Sequence, residues 1–280
     1  MSFRRDRGKL TRYSPDIVMD ESNPKGSLKG RGIYLLPNLL TTGALFAGFY
    51  AIIGAIDGNY QNSAIALLIA MALDGLDGRV ARLTGTESDF GREYDSLSDL
   101  VAFGVAPAII VYQWGLIRLA EYGWAWGKIG WLAAFLFTVS AGLRLARFNV
   151  STRTVDRRFF EGLPSPPAAA LVVSTVWLGD TQGWSGGFAL FLCGAVTVLA
   201  AVLMVSHLAF YSFKDLSPQG RVSFARFFVI PLTFVLIALN PPLVIFSMAS
   251  TYAISGPVLS LWRWRRRKLR RADEGSTREA

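Results

Sequence analysis

Apolar blocks of about 18–25 residues recur from Leu35 to Leu261, long enough to cross a bilayer as helices. In hydrocarbon every backbone N–H and C=O needs an internal partner, and a helix supplies one within each block. Eight spans are read this way: 33–56, 62–83, 92–117, 128–148, 165–179, 187–210, 223–239 and 242–262. The fifth is short, and Pro164, Pro166 and Pro167 mark its start, where proline suits a first turn. Asn240-Pro241-Pro242 splits the last apolar block in two. The expected fold is all-α, a polytopic transmembrane bundle with no separate soluble domain. Polar, basic tails before Gly32 and after Arg263 are expected to be loosely ordered. Ser2 to Gly32 has no apolar run close behind its charges, so the first span is expected to be an anchor and not a cleaved signal.

Charge orients the bundle. Of 29 Lys and Arg residues, only Arg118 and Lys128 fall on one side, beside Asp57, Glu121 and Asp180. The others lie in the two tails or in loops and helix ends of the opposite side, so the positive-inside rule puts both termini in the cytoplasm. Trp124, Trp126, Trp184, Trp262 and Trp264 lie near span ends, as interfacial aromatics do. The Trp262-to-Lys268 run reads as a stop-transfer anchor. Cys193 lies inside an apolar run and reads as inert packing, and His207, the single histidine, reads as structural.

Against this background four acids stand out: Asp74, Asp77, Asp95 and Asp99. Ionisable groups at membrane depth are costly and mark functional sites. With a turn near Thr86-Glu87, spans two and three form a hairpin on which Asp74 lies level with Asp99, and Asp77 with Asp95. On each arm the pair shares a face, being i,i+3 or i,i+4. Such a cluster of hard oxygens suits divalent cations, namely two Mg²⁺ or Mn²⁺ ions, with Ca²⁺ also possible, able to clamp a phosphate. Gly75, Gly78 and Gly91 allow close approach, and Arg82 is suited to grip a phosphate oxygen.

The run D-x2-D-G-x2-A-R-x8-G-x3-D-x3-D, from Asp74 to Asp99, resembles the signature of the CDP-alcohol phosphatidyltransferases, matching at every fixed position. The resemblance implies an integral membrane enzyme with six core helices, generally homodimeric, that displaces CMP when an alcohol attacks the lipid-side phosphorus of a CDP-linked lipid. It implies a core over 33–210, two added helices in 211–262, and tails 1–32 and 263–280. It implies one metal on Asp74, Asp77 and Asp95 and a second on Asp74, Asp95 and Asp99. A nucleotide pocket would be lined by Asp77, Gly78, Ala81 and Arg82, and Asp99 would be the general base.

Leu36 to Thr41, Phe90 to Pro107, Arg144 to Asn149 and Gly162 to Pro166 resemble the phosphatidylserine synthase branch. Its substrates would be CDP-diacylglycerol and L-serine among membrane lipids, with no nucleic acid involved. Arg144 and Arg147, one turn apart, would hold the acceptor's carboxylate, or else set topology and meet lipid phosphates. Asn38 and Thr41 would contact the nucleotide or cap the first helix, and Ser165 reads as a helix cap. Two alternatives stay open: a sister enzyme using glycerol 3-phosphate or an inositol phosphate, and a divalent-cation transporter.

Overall fold

The computed structural model describes residues 28–151, 159–211 and 235–276, with backbone alone for 28–34, 151, 159–160, 211 and 263–276. The basic segments 1–27, 152–158 and 212–234, and with them most of the expected span 223–239, lie outside the described residues.

The chain folds as an all-α polytopic membrane bundle. Helix α1 (Leu28–Ile56) turns through Asp57-Gly58-Asn59, with Gly58 at φ +77°, into α2 (Tyr60–Thr84). Helix α3 (Asp89–Asp99) runs on through a π-helical turn (Leu100–Val105) into α4 (Ala106–Trp114) and a 3₁₀ turn (Leu116–Tyr122). Then follow α5 (Trp124–Ser151), strand β1 (Phe159–Glu161), α6 (Ser165–Thr181), α7 (Gly187–Val205), β2 (Ala209–Tyr211) and α8 (Pro241–Ser276). Among the described residues, five stretches are long and apolar enough to cross a membrane: Leu35–Ile56, Asp89–Tyr122, Trp124–Val150, Gly187–Val205 and Pro241–Trp262.

Small residues set the packing. Ala44, Ala47, Ala51 and Ala55 are buried on α1, and Ser63, Ala64, Ala66 and Ala70 on α2. Those side chains let the two backbones run close together. A Cβ on Gly54 would stand 2.7 Å from Ser63 Oγ, and one on Gly48 only 2.8 Å from Ala102 Cα in the π-helical turn. That turn lies directly ahead of Pro107, which has no N–H to give, and within it the Ala106 N–H reaches back to the Val101 carbonyl. Thr138 Oγ1 donates to Gly104 O at 3.3 Å from α5. Gly43 meets Leu73 and Gly48 meets Ala102, so these small positions serve contacts within the subunit.

Helix α6 is apolar all round and buried along most of its length, the mark of a central helix. Three departures from the sequence reading have physical causes. First, β1 pairs antiparallel with β2, Phe160 opposite Phe210, so the sixth span stops at Val205 instead of running to 210. Gly162, at φ +81°, fits this junction because a Cβ would lie 2.3 Å from Met204 O. Second, α8 does not stop at the membrane edge. Its backbone stays helical to Ser276, through the segment expected to be loosely ordered. Third, α2 packs mainly on α1 and α6, and α3 on α1 and the π-helical turn, so α1 supports both acid-bearing helices. Cys193 is buried and free, as expected, whereas His207 is exposed in the turn before β2.

Replacing Gly48 by Ala forces a methyl group into the Ala102 backbone. The unfolding free energy is expected to fall by about 1–3 kcal/mol, seen as an earlier thermal midpoint in detergent. Gly194→Ala, which meets only Leu116 Cδ2 at 3.6 Å, should be neutral or stabilising by up to about 1 kcal/mol.

Candidate functional site

Helix α2 ends at Gly85, which takes the left-handed conformation (φ +63°) and bonds its N–H to the Ala81 carbonyl. Ser88 opens α3 by accepting the Gly91 N–H at 3.0 Å. This tight return brings the acids together. Asp74, Asp95 and Asp99 each offer an oxygen, all within 4.8 Å of one another. The oxygens of Asp74 and Asp99, the acids expected to lie level, are among these.

Asp77 stands beside this trio and is more deeply buried, 4% exposed. Its Oδ2 accepts the Thr41 hydroxyl at 2.7 Å. Thr41 also lies 3.1 Å from the Pro37 carbonyl, and its own carbonyl accepts Ser98 Oγ at 3.1 Å. Thr41 is therefore no helix cap. It sits two turns and more inside α1 and ties α1 to both acid-bearing helices. Ser98 was not singled out from sequence. Its only signal was a small polar residue at a variable position of the motif, three residues after Asp95.

Among the described residues none of the four acids forms an ion pair. Asp95 Oδ1 is buried with no hydrogen-bond partner. A buried carboxylate oxygen left in that state is costly unless a cation meets it. Three converging hard oxygens, with Asp95 Oδ1 lacking a hydrogen-bond partner, fit a divalent metal ion.

Two glycines of α2 have open space beside them. A Cβ on Gly75 or Gly78 would meet nothing within 4 Å. Ala81 is half-buried one turn on, and exposed Arg82 folds back so that its Nε donates to Gly78 O at 2.8 Å. The guanidinium thus lies along α2 on the acids' side of the turn. Gly91 leaves room for Asn38, whose Oδ1 would stand 3.3 Å from an added Cβ. Asn38, like Thr41, lies inside α1 and does not cap it.

The two arginines of α5 part company. Arg144 donates through Nη1 to Ser165 Oγ at 2.9 Å, and Asp99 acts on it electrostatically. Its Nε is buried without a hydrogen-bond partner. Arg147 instead forms an ion pair with Glu161 of β1. The two guanidinium groups, one turn apart on α5, thus have different side-chain partners. Ser165 is not a cap either, because Pro164 holds that position and the Ser165 hydroxyl serves Arg144. Asn149 Nδ2 donates to Ser96 Oγ at 2.9 Å, linking the end of α5 to the acid-bearing α3.

Comparison with known proteins agrees with this geometry. The family model described as CDP-alcohol phosphatidyltransferase matches residues 34–206. The chain is 39% identical over 203 residues to the CDP-diacylglycerol–serine O-phosphatidyltransferase of Helicobacter pylori, covering 72% of this chain and 83% of that protein. It is 34% identical over 240 residues to the enzyme of the same name from Mycobacterium leprae, covering 82% and 76%. It is 35% identical over 177 residues to the archaetidylserine synthase of Methanothermobacter thermautotrophicus, covering 62% and 69%.

Thr41→Val removes the donor to a buried carboxylate. It should lower the unfolding free energy by about 1–3 kcal/mol in chemical denaturation. Thr42→Val, at an exposed hydroxyl 3.0 Å from Tyr94 Oη, should stay within about 0.5 kcal/mol of the parent.

Proposed function

The chain belongs to the CDP-alcohol phosphatidyltransferase family, and from that membership we propose that it transfers the phosphatidyl group of CDP-diacylglycerol to L-serine, giving phosphatidylserine and CMP. The observation that carries this reading is the convergence of Asp74, Asp95 and Asp99 beside Arg144, a group that can hold metal next to one that can hold a carboxylate.

Asp74, Asp77 and Asp95 would hold one divalent cation and Asp74, Asp95 and Asp99 a second, Mg²⁺ or Mn²⁺ with Ca²⁺ also admissible, supplying neutralisation of the pyrophosphate charge. Gly78 and Ala81 leave space for the nucleotide, Arg82 grips a phosphate oxygen, and Asn38 lines the opposite wall from α1. Thr41, whose hydroxyl donates to Asp77 Oδ2 at 2.7 Å, positions that carboxylate at the edge of the nucleotide pocket.

Arg144 binds the carboxylate of serine and orients its hydroxyl toward the lipid-side phosphorus. As the serine oxygen bonds to that phosphorus, its proton passes to the Asp99 carboxylate. The phosphoanhydride bond breaks, and CMP departs with the bridging oxygen. Arg147, paired with Glu161 of β1, ties the end of α5 to the ribbon.

In the same proposal the acid-bearing end of the bundle faces the cytoplasm with both termini, the active unit is a homodimer, and a core over 33–210 carries the chemistry. Segment 211–262 and the tails 1–32 and 263–280 are additions to it. The positive-inside distribution supports the orientation.

Purified protein is expected to release CMP from CDP-diacylglycerol only when L-serine and a divalent ion are both present, and chelation should abolish the release. Asp99→Asn should lower kcat by about 10²–10⁴-fold with a thermal midpoint no lower than the parent's. CMP release driven by glycerol 3-phosphate or an inositol phosphate in place of serine would overturn the assignment of the acceptor.

A further inference from the structure

Arg144 and Arg147 share a helix, yet the partners they meet differ in kind. Glu161 meets Arg147 with a full negative charge and offsets it. Ser165 meets Arg144 with a neutral hydroxyl, whose oxygen accepts from Nη1 at 2.9 Å. A hydroxyl oxygen fixes the direction of a guanidinium and leaves its charge intact. Among the described residues no ion pair takes up the charge of Arg144. Its Nε is buried with no hydrogen-bond partner, a costly state for a donor until an acceptor oxygen reaches it. Nη1 lies off the edge formed by Nε and Nη2, and that edge carries the parallel donors that suit a carboxylate.

The Ser165 hydroxyl can set this direction because its own backbone is fixed. Ser165 is fully buried. Just ahead of it, the Gly162 N–H bonds to Leu208 O and the Leu163 N–H to Leu203 O, both at 2.9 Å. A Cβ on Gly162 would run into the Met204 carbonyl, so the chain lies flush against the end of α7. Pro164, at φ −58°, precedes Ser165, while Pro166 and Pro167 follow it, and each ring holds its own φ. The Ala168 N–H reaches the Pro164 carbonyl at 3.1 Å and closes the first turn of α6. An oxygen carried on such a segment moves little. A long arginine side chain, by contrast, loses much rotamer freedom when it is ordered, so a fixed partner lowers the cost of presenting it to a ligand.

We propose that Ser165 is a positioning residue for the acceptor: its hydroxyl pre-orients the Arg144 guanidinium without cancelling its charge, so that the unsatisfied Nε–H receives the carboxylate of the incoming hydroxy amino acid. The inference rests on the assignment of Arg144 to the acceptor carboxylate.

The test is steady-state CMP release by the full chain, comparing the parent with S165A, R144Q and the double variant as the serine concentration is varied. Loss of a hydrogen bond to a charged group should lower kcat/KM for serine about tenfold in S165A, chiefly through KM, with the KM for CDP-diacylglycerol within about twofold of the parent. In the R144Q background the same change should alter kcat/KM by less than about twofold, because Ser165 then has no guanidinium to orient. S165C, close to serine in size and a weak acceptor, carries the same expectations and replaces S165A if the alanine variant is not recovered folded. A parent-like kcat/KM for serine in S165A, or an equal fall in both backgrounds, would overturn the role of Ser165. The acceptor site survives either result so long as R144Q alone raises the serine KM. If R144Q leaves that KM at the parent value, the acceptor site itself is wrong and the inference falls with it.

Discussion

Carboxylates gathered within 4.8 Å of one another repel. At about 4 Å and an effective dielectric of about 20, each pair of charges costs roughly 4 kcal/mol. Among the described residues no side-chain cation pairs with them, and Asp95 Oδ1 is left buried and unmatched. Helices free to drift would separate such groups. The bundle prevents this by locking α1 to its neighbours, with Gly54 against Ser63 and Gly48 against Ala102, both closer than any other side chain would allow. A cation lets the carboxylates be ionised together, which is why a metal ion suits a place that otherwise disfavours charge.

Helix α1 carries no acid of the cluster, yet it decides where the acids stand. Thr41 bonds to Asp77 on α2, and Ser98 on α3 bonds to the Thr41 carbonyl. Two hydrogen bonds through one residue therefore register three helices. The π-helical turn that begins directly after Asp99 widens the backbone where α3 meets α1, and it presses Ala102 into the space Gly48 leaves. The chemistry sits on α2 and α3, and the alignment sits on α1.

Much of this was legible in the chain itself. The Asp74-to-Asp99 spacing pointed to the level pairing, and Thr86-Glu87 to the turn, because helical rise and the length of the linker leave little freedom. The membrane blocks followed from apolar runs that only helices satisfy. What could not be read were contacts between residues far apart in sequence with no periodic signature. The partner of Thr41 is 36 positions away, and that of Asn149 is 53. The β1–β2 ribbon joins two three-residue strands with 47 residues between Glu161 and Ala209, too short and too distant to show as a pattern. Arg144 and Arg147 looked alike in sequence because spacing alone cannot tell which guanidinium will meet Glu161.

That difference bears on the choice of acceptor. A phosphomonoester carries about −1.5 to −2 charge at neutral pH, and a binding site for it needs more than one fixed cation. On α5 the charge of Arg147 is taken up by Glu161, which leaves Arg144 beside Asp99. A single guanidinium next to a carboxylate balances a group with one negative charge and a nearby ammonium, which is the charge pattern of an amino acid. The second negative charge of glycerol 3-phosphate or an inositol phosphate would find no second unpaired guanidinium between Arg144 and Arg147. The ion pair at the rim, by withdrawing one arginine from the cleft, therefore favours serine over the phosphorylated alcohols.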